Sequence, residues 1–314
     1  MSKIDRVLRS NLKLRHLQLL VALDQFRHLG RAAEFLAVTQ PAVSKTLAEV
    51  ERMLGMVLFE RSTRGTEPTA AGVSMVRFAR SVLAGFERTR DEMAAEASGA
   101  RGRTSVGAMV VATPVLLAQA VARLKDRSAQ STVLVEEGDL TRLLPKLRLG
   151  ELDLFVGRLE PGYAAPDLET EALFDEPMVA VVRPGHALLA PGAAHWQALA
   201  DQPCVLPPPW ASLRVKLEQQ FYAHGLHPPA DIVETASFLS QLTFVHQRGA
   251  VAFMARSVAR HHAALGTLAV LDLAVPIELP PVGLITLRGQ PPTPTTGLLL
   301  ECLRAVAATL RAGD

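Results

Sequence analysis

Within six residues, Gln40-Pro-Ala-Val-Ser-Lys45, the chain presents an amide, a hydroxyl and an amine. Amide and hydroxyl both donate and accept hydrogen bonds, and the ammonium group donates only. Such a set reads hydrogen-bonding edges. It holds no nucleophile beside a base, so it suits recognition rather than bond making. Groups that could catalyse are scattered elsewhere: His186, His195, His224, His227, His246, the pair His261-His262, Asp153 and Glu234. They form no Gly-x-Ser-x-Gly elbow, His-Glu-x-x-His helix or phosphate loop, so no catalytic residue is expected and an α/β enzyme is the least favoured reading. Cys204 and Cys302 have no Cys or His at ligand spacing, so neither a metal, a disulfide framework nor a cofactor is implied. A redox sensor acting through Cys204 and Cys302 is the alternative. Against it, Pro203-Cys-Val-Leu206 reads as a buried strand, with no cation beside Cys204 in sequence to activate it.

The polar set needs a helix to carry it. Thr39 is a favoured N-cap, and Pro41 is tolerated in a first turn, where its missing N–H costs no hydrogen bond. Val43, Leu47, Val50 and Leu54 then recur within about 40° of one line at roughly 100° per residue, a buried stripe. Pro41, Lys45, Ala48 and Arg52 fall opposite, with Gln40 and Ser44 on the flank. Upstream, residues 29–38 read as a short helix, leaving Val38 and Thr39 for the turn, and Leu14, Leu17, Leu20, Val21 and Leu23 give an apolar helix to roof the pair. Downstream, Val57, Leu58 and Phe59 are strand-like, Arg64-Gly65 is a tight reversal, and Thr66 opens a second strand that Pro68 ends. The arrangement is a winged helix-turn-helix. Its leading face fits a major groove, with the amide and amine on base edges and Arg61 and Arg64 of the wing on phosphate or a minor groove.

Charge agrees with a polyanionic partner. Residues 1–66 hold eleven Lys and Arg against six Asp and Glu, a net of +5, so the remainder carries −3 of the chain's +2. Aromatic residues make up 5% of the chain, which argues against a stacking platform for single strands. The N-terminus has no apolar core of signal-peptide length, and apolar runs elsewhere stay well short of about 18 residues, so a cytoplasmic protein is expected, with no membrane partner. At 314 residues the length suggests about two domains.

From Ala70 to about Ala97 no proline interrupts, and Met75, Ala79, Val82, Phe86 and Met93 form a short heptad seam. That seam predicts dimerisation, and the Ser98-Gly-Ala-Arg-Gly-Arg103 segment after it reads as a hinge. Beyond the hinge, strand-like runs at 104–111, 132–136, 152–157, 177–182, 204–206, 251–254 and 282–287 alternate with helical stretches at 114–126, 140–149, 213–224 and 237–247. This is an α/β pattern with mostly parallel sheets. Residues 158–173 and 270–281 read as two crossings between lobes.

The run Gly30-Arg-Ala-Ala-Glu-Phe-Leu-x-Val-Thr-Gln-Pro-Ala-Val-Ser-Lys, with Leu54-Gly-x-x-Leu-Phe-Glu-Arg and Thr69-Ala-Ala-Gly72, resembles the N-terminal domain of LysR-type transcriptional regulators. The resemblance covers about residues 12–75 and implies DNA contact by Thr39, Gln40, Pro41, Ser44, Lys45, Arg61 and Arg64. Arginine is commoner in the family at the position of Lys45, so a bidentate grip on guanine is not implied there. Glu151-Leu-Asp-Leu-Phe-Val-Gly157 and Val205-Leu-Pro-Pro-Pro209 resemble the family's effector domain, two Rossmann-like lobes similar to periplasmic solute-binding proteins. The second motif points to the branch containing regulators of aromatic-acid and sugar catabolism. The implied organisation is a winged helix-turn-helix domain at 1–69, a linker and dimerisation helix at 70–100 and an effector domain at 101–314. Lobe I would span about 101–165 and 278–314, and lobe II about 166–277. A small-molecule effector is implied between the lobes, near Val111, Ala112, Thr113, Asp139, Thr141, Pro209, Ser212 and Ser237. Val111 stands where the family often has a hydroxyl, and Asp139 where threonine or asparagine is common. Either Asp139 is turned away as an N-cap or the effector is not a simple carboxylate. The implied partners are double-stranded DNA, the effector, a second copy in a homodimer or homotetramer, and RNA polymerase if the protein activates.

Overall fold

Thr39 adopts extended backbone, and its hydroxyl accepts the Ala42 N–H at 3.4 Å, which opens the helix carrying the polar set. The computed structural model describes residues 3–62, 65–98, 102–209 and 211–312. The chain divides into an N-terminal unit and an α/β unit.

The N-terminal unit begins with α1 (Lys3–Arg6) and a π-helical turn, followed by α2 (Leu14–Phe26), α3 (Leu29–Phe35) and α4 (Gln40–Leu54). Val43, Leu47, Val50 and Leu54 are all buried, and Leu17, Leu20 and Leu23 of α2 meet them in one core. Each such side chain contributes about 1.5–3 kcal/mol by leaving water. The turn between α3 and α4 is longer than its sequence suggests. Helix α3 stops at Phe35, Leu36 caps it, and Ala37 takes a left-handed φ of 53°, so residues 36–39 reverse the chain. Alanine in that conformation leaves no glycine for a reader of the sequence to notice.

A hairpin of β1 (Phe59–Ser62) and β2 (Gly65–Pro68) forms the wing, pairing Phe59 with Pro68 and Ser62 with Gly65. Glu51 of α4 fixes it, one carboxylate oxygen accepting the N–H groups of Leu58 at 2.8 Å and Phe59 at 3.1 Å. We expect Glu51→Ala to orphan both donors and cost about 2 kcal/mol, read as a lower Tm of the N-terminal unit. Unchanged stability would show the carboxylate to be dispensable. The wing is tied to α2 as well: Arg27 pairs with Glu67 of β2 and with Asp24, and Asp24 pairs with Arg80 of the next helix, α5 (Ala70–Ser98).

The α/β unit holds two five-stranded sheets. The first is ordered β4 (Thr132–Glu137), β3 (Arg103–Ala108), β5 (Leu154–Arg158), β12 (Val282–Leu287), β6 (Leu168–Phe174). It is joined by α6 (Ala118–Arg127), α7 (Leu140–Leu149) and α12 (Pro294–Ala312). The second is ordered β11 (Ala269–Val270), β7 (Met178–Val182), β10 (Val251–Ala255), β8 (Cys204–Leu206), β9 (Ile232–Glu234). Its helices are α8 (Trp196–Ala200), α9 (Ser212–Ala223), α10 (Phe238–Arg248) and α11 (Arg256–Ala264).

Each sheet is mixed, with four of its five strands running the same way and one reversed. In the first, β12 runs antiparallel to β5 and β6; in the second, β7 runs antiparallel to β10 and β11. Strands that follow a crossing enter the sheet from the opposite end, which reverses their direction. The first crossing also lies later than the sequence suggests. Residues 168–174 form β6 in the first sheet, so the chain crosses at 175–177, and the first lobe extends past 165 to about 174.

Candidate functional site

Helix α4 presents its polar row outward. Gln40, Pro41, Lys45, Ala48 and Arg52 are exposed and Ser44 is half-buried. Among the described residues, Gln40, Ser44, Lys45 and Arg52 have no hydrogen-bond or ionic partner, so their donors and acceptors are unspent. Thr39 is committed to the cap, and Pro41 sits in the first turn. Arg61 lies on β1, and Arg64 falls outside the described residues.

Below this surface lies a histidine that no sequence motif marked. His16 is wholly buried in α2; its Nδ1 accepts the Lys13 N–H at 3.2 Å, while Nε2 has no partner. Desolvation pushes its pKa below the ordinary value, with Arg15 and Lys13 adding to this and Glu49 opposing it. The unfolded chain therefore binds a proton here that the folded chain refuses. Stability is retained above the unfolded histidine pKa and falls as pH drops below it towards the depressed folded value. We expect a loss of N-terminal-unit stability on acidification below about pH 6.5 that His16→Asn, which preserves the acceptor for Lys13, reduces. An identical pH slope in the variant would contradict this assignment.

Along α5 the heptad seam divides. Ala79 is fully buried, and Met75 and Val82 pack against the core of their own unit, whereas Phe86 is 51% and Met93 67% exposed. The first half of the seam is thus occupied within the chain, leaving the second half available.

The candidate effector residues have distinct environments. Asp139 is an N-cap: its Oδ1 accepts the Arg142 N–H at 3.1 Å and the Thr141 hydroxyl. The Thr141 hydrogen bond chiefly holds the carboxyl below its usual range, so the charge is retained and spent locally. Ala112 is fully buried, and its side chain is part of the first lobe's core. Val111 packs against cores of both lobes. Thr113 donates its hydroxyl to the Met109 carbonyl at 3.3 Å. Pro209 and Ser212 are exposed, and Ser212 reaches the Glu160 carboxylate at 3.1 Å. Ser237 caps α10 by accepting the Ser240 N–H.

Two arginines that no sequence pattern marked are buried in the same unit. Arg214 pairs with Glu218 and Glu234 and donates to the Pro207 carbonyl. Arg158 donates to the backbone carbonyls of Glu176 at 2.7 Å and Pro280 at 2.8 Å, one on each crossing. Burial pushes its pKa down, opposed by the charges of Glu176, Glu160 and Asp175.

The thiols have no redox geometry. Cys204 and Cys302 are both buried, and burial, aided by Asp231, pushes the Cys204 thiol up to about 12. A thiol so seldom ionised is a poor nucleophile, which argues against Cys204 as a redox sensor.

Residues 14–73 match the family model described as "Bacterial regulatory helix-turn-helix protein, lysR family", and residues 97–308 match "LysR substrate binding domain". The chain belongs to the LysR family of transcriptional regulators. It is 34% identical over 305 residues to the HTH-type transcriptional regulator GbpR of Azospirillum brasilense, covering 96% of this chain and 89% of that protein. With the regulator PcaQ of Agrobacterium fabrum (strain C58 / ATCC 33970) it shares 31% identity over 299 residues, 95% of this chain and 96% of the relative. The LysR family regulator CbnR has the same fold, with a TM-score of 0.70 at 22% identity over 94% of this chain and 99% of CbnR. As a LysR-type protein the chain is a DNA-binding transcriptional regulator with an effector-binding domain, and its family is one of regulators rather than enzymes. Among the described residues, no helix is long and apolar enough to cross a membrane.

Proposed function

We propose that this LysR-type regulator acts in the cytoplasm as a dimer, or a dimer of dimers, on a dyad-symmetric operator. Two copies of α4 enter the major groove at two half-sites. Gln40, Ser44 and Lys45 meet base edges, Thr39 and Pro41 set the helix's entry, and Arg61 and Arg64 meet phosphate or the minor groove. The α5 helices pair through Phe86 and Met93, with Met75, Ala79 and Val82 anchoring each helix to its own core. The DNA-binding domain spans 1–69, the linker 70–100 and the effector domain 101–314. The observation that carries this reading is the row of unspent polar groups on the exposed face of α4.

A small molecule between the lobes would meet Val111, Thr113, Thr141, Pro209, Ser212 and Ser237, and Ala112 through its backbone alone. Its binding changes lobe closure and so the bending of the bound DNA, which requires that it favour one assembly over the other. An activator would also contact RNA polymerase. The test is fluorescence anisotropy on duplexes from upstream of the protein's own gene. Binding should weaken steeply as salt rises. No binding at low salt, or salt-independent binding, would contradict the proposal. A thermal-shift screen of small catabolites on the full chain identifies the effector.

A further inference from the structure

His28 is the N-cap of α3, and its Nδ1 accepts the backbone N–H groups of Gly30 at 3.0 Å and Arg31 at 3.4 Å. Two donors aimed at Nδ1 require a lone pair there, which places the ring proton on Nε2. Serine, threonine and aspartate cap with an oxygen, and the spare amide donor of a capping asparagine does not reach as far as an imidazole Nε2. An imidazole caps with one nitrogen and keeps a donor on the other. Here that donor is unspent: His28 is exposed, and Nε2 has no partner among the described residues.

Its position matters for the same reason. A Cβ added at Gly30 would stand 3.1 Å from His28 Cε1 and 3.7 Å from Gln40 Oε1, so the ring edge and the leading amide of α4 flank one side-chain-free residue. Beside them, exposed Arg31 is held over the Phe26 ring at 5.8 Å. When the second helix of such a pair lies in the major groove, the first crosses the sugar–phosphate backbone. The acceptor available to a donor at the start of α3 is therefore a phosphate oxygen. We propose that His28 is a positioning residue for DNA binding, capping α3 through Nδ1 and donating from Nε2–H to a backbone phosphate beside the groove that α4 reads. This rests on the reading of α4 as the groove-entering helix.

The two nitrogens can be separated by substitution. His28→Asn keeps a capping acceptor but has no donor where Nε2 stood, whereas His28→Gln carries a donor at that reach and caps poorly. A duplex selected by the wild-type protein from a random pool is the probe, with anisotropy for affinity and thermal melting for stability. We expect His28→Asn to melt at or above the wild-type temperature yet bind about fivefold more weakly, by the same factor on every single-base variant of the duplex. His28→Gln should melt lower and bind more nearly like wild type. Wild-type affinity in His28→Asn overturns the proposal, as does a loss confined to particular base variants, which would make His28 a base reader. Affinity and melting temperature falling together in both variants would reduce His28 to a cap. If the wild-type protein selects no sequence, the reading of α4 fails first, and this one with it.

Discussion

Replacing Gly72 by alanine is expected to unfold or severely loosen the DNA-binding unit, although alanine is the better helix former. A Cβ at this position would lie 1.9 Å from the Leu58 carbonyl oxygen, 3.0 Å from its carbon and 3.1 Å from Pro68 Cβ. The obstacle is backbone, and it is held: Leu58 O accepts the Thr69 N–H at 2.9 Å, and the Thr69 hydroxyl donates to Val57 O at 2.8 Å. The start of α5 must then lift off the wing, at a cost of about 3 kcal/mol or more. Gly85 supplies the control within the same helix. It is exposed, with nothing within 4 Å of a built Cβ, so Gly85→Ala should stabilise by up to about 1 kcal/mol. Opposite signs for one chemical change in urea or thermal unfolding are the expected result. Equal effects would show that packing at Leu58 does not govern the first.

Arg158→Met is expected to have the largest effect on the α/β unit. It removes the guanidinium that joins both crossings, orphans the carbonyls of Glu176 and Pro280, and takes one positive charge away from the buried Glu176 carboxylate. Breaking a buried charge arrangement from one side costs about 3–5 kcal/mol. Glu176 still accepts the Ser257 N–H at 3.0 Å, which places the expected cost towards the lower end. Arg158→Lys should recover little, because one ammonium group lacks the planar fork that meets two separate carbonyls. Denaturant unfolding of the full chain, followed with probes in each unit, should show the loss confined to the lobes. A variant of wild-type stability would mean that the crossings are held by other contacts.

Helix α4 was legible because three independent signals coincide in it: a capping threonine, a first-turn proline and a helical apolar stripe. Strands β8 and β12 were legible as short apolar runs. Strand β6 was not, because Leu168-Glu-Thr-Glu-Ala-Leu-Phe174 carries charge on its open side. It becomes a strand through β12, more than a hundred residues later, and through Glu171, which Arg304 of α12 grips at 2.7 Å. The seam on α5 shows a different limit. Heptad spacing announces that a face will be buried but not by what, and Ala79 is buried by its own domain. Glu51, Arg158 and the capping nitrogen of His28 act on backbone N–H and C=O groups, which every sequence has and none displays. The polar row on α4 could be read because its groups are not satisfied within the chain.

If the polar row on α4 reads DNA sequence, its side chains set base preference. The direct measurement is selection of preferred duplexes from a random pool by the wild-type protein and by Ser44→Ala and Arg64→Ala, with affinities for the selected site and its single-base variants. Ser44→Ala is expected to alter base preference at one or two positions of each half-site, while Arg64→Ala weakens every sequence alike. Unchanged base preference in Ser44→Ala, or equal weakening of every sequence by both substitutions, would contradict it.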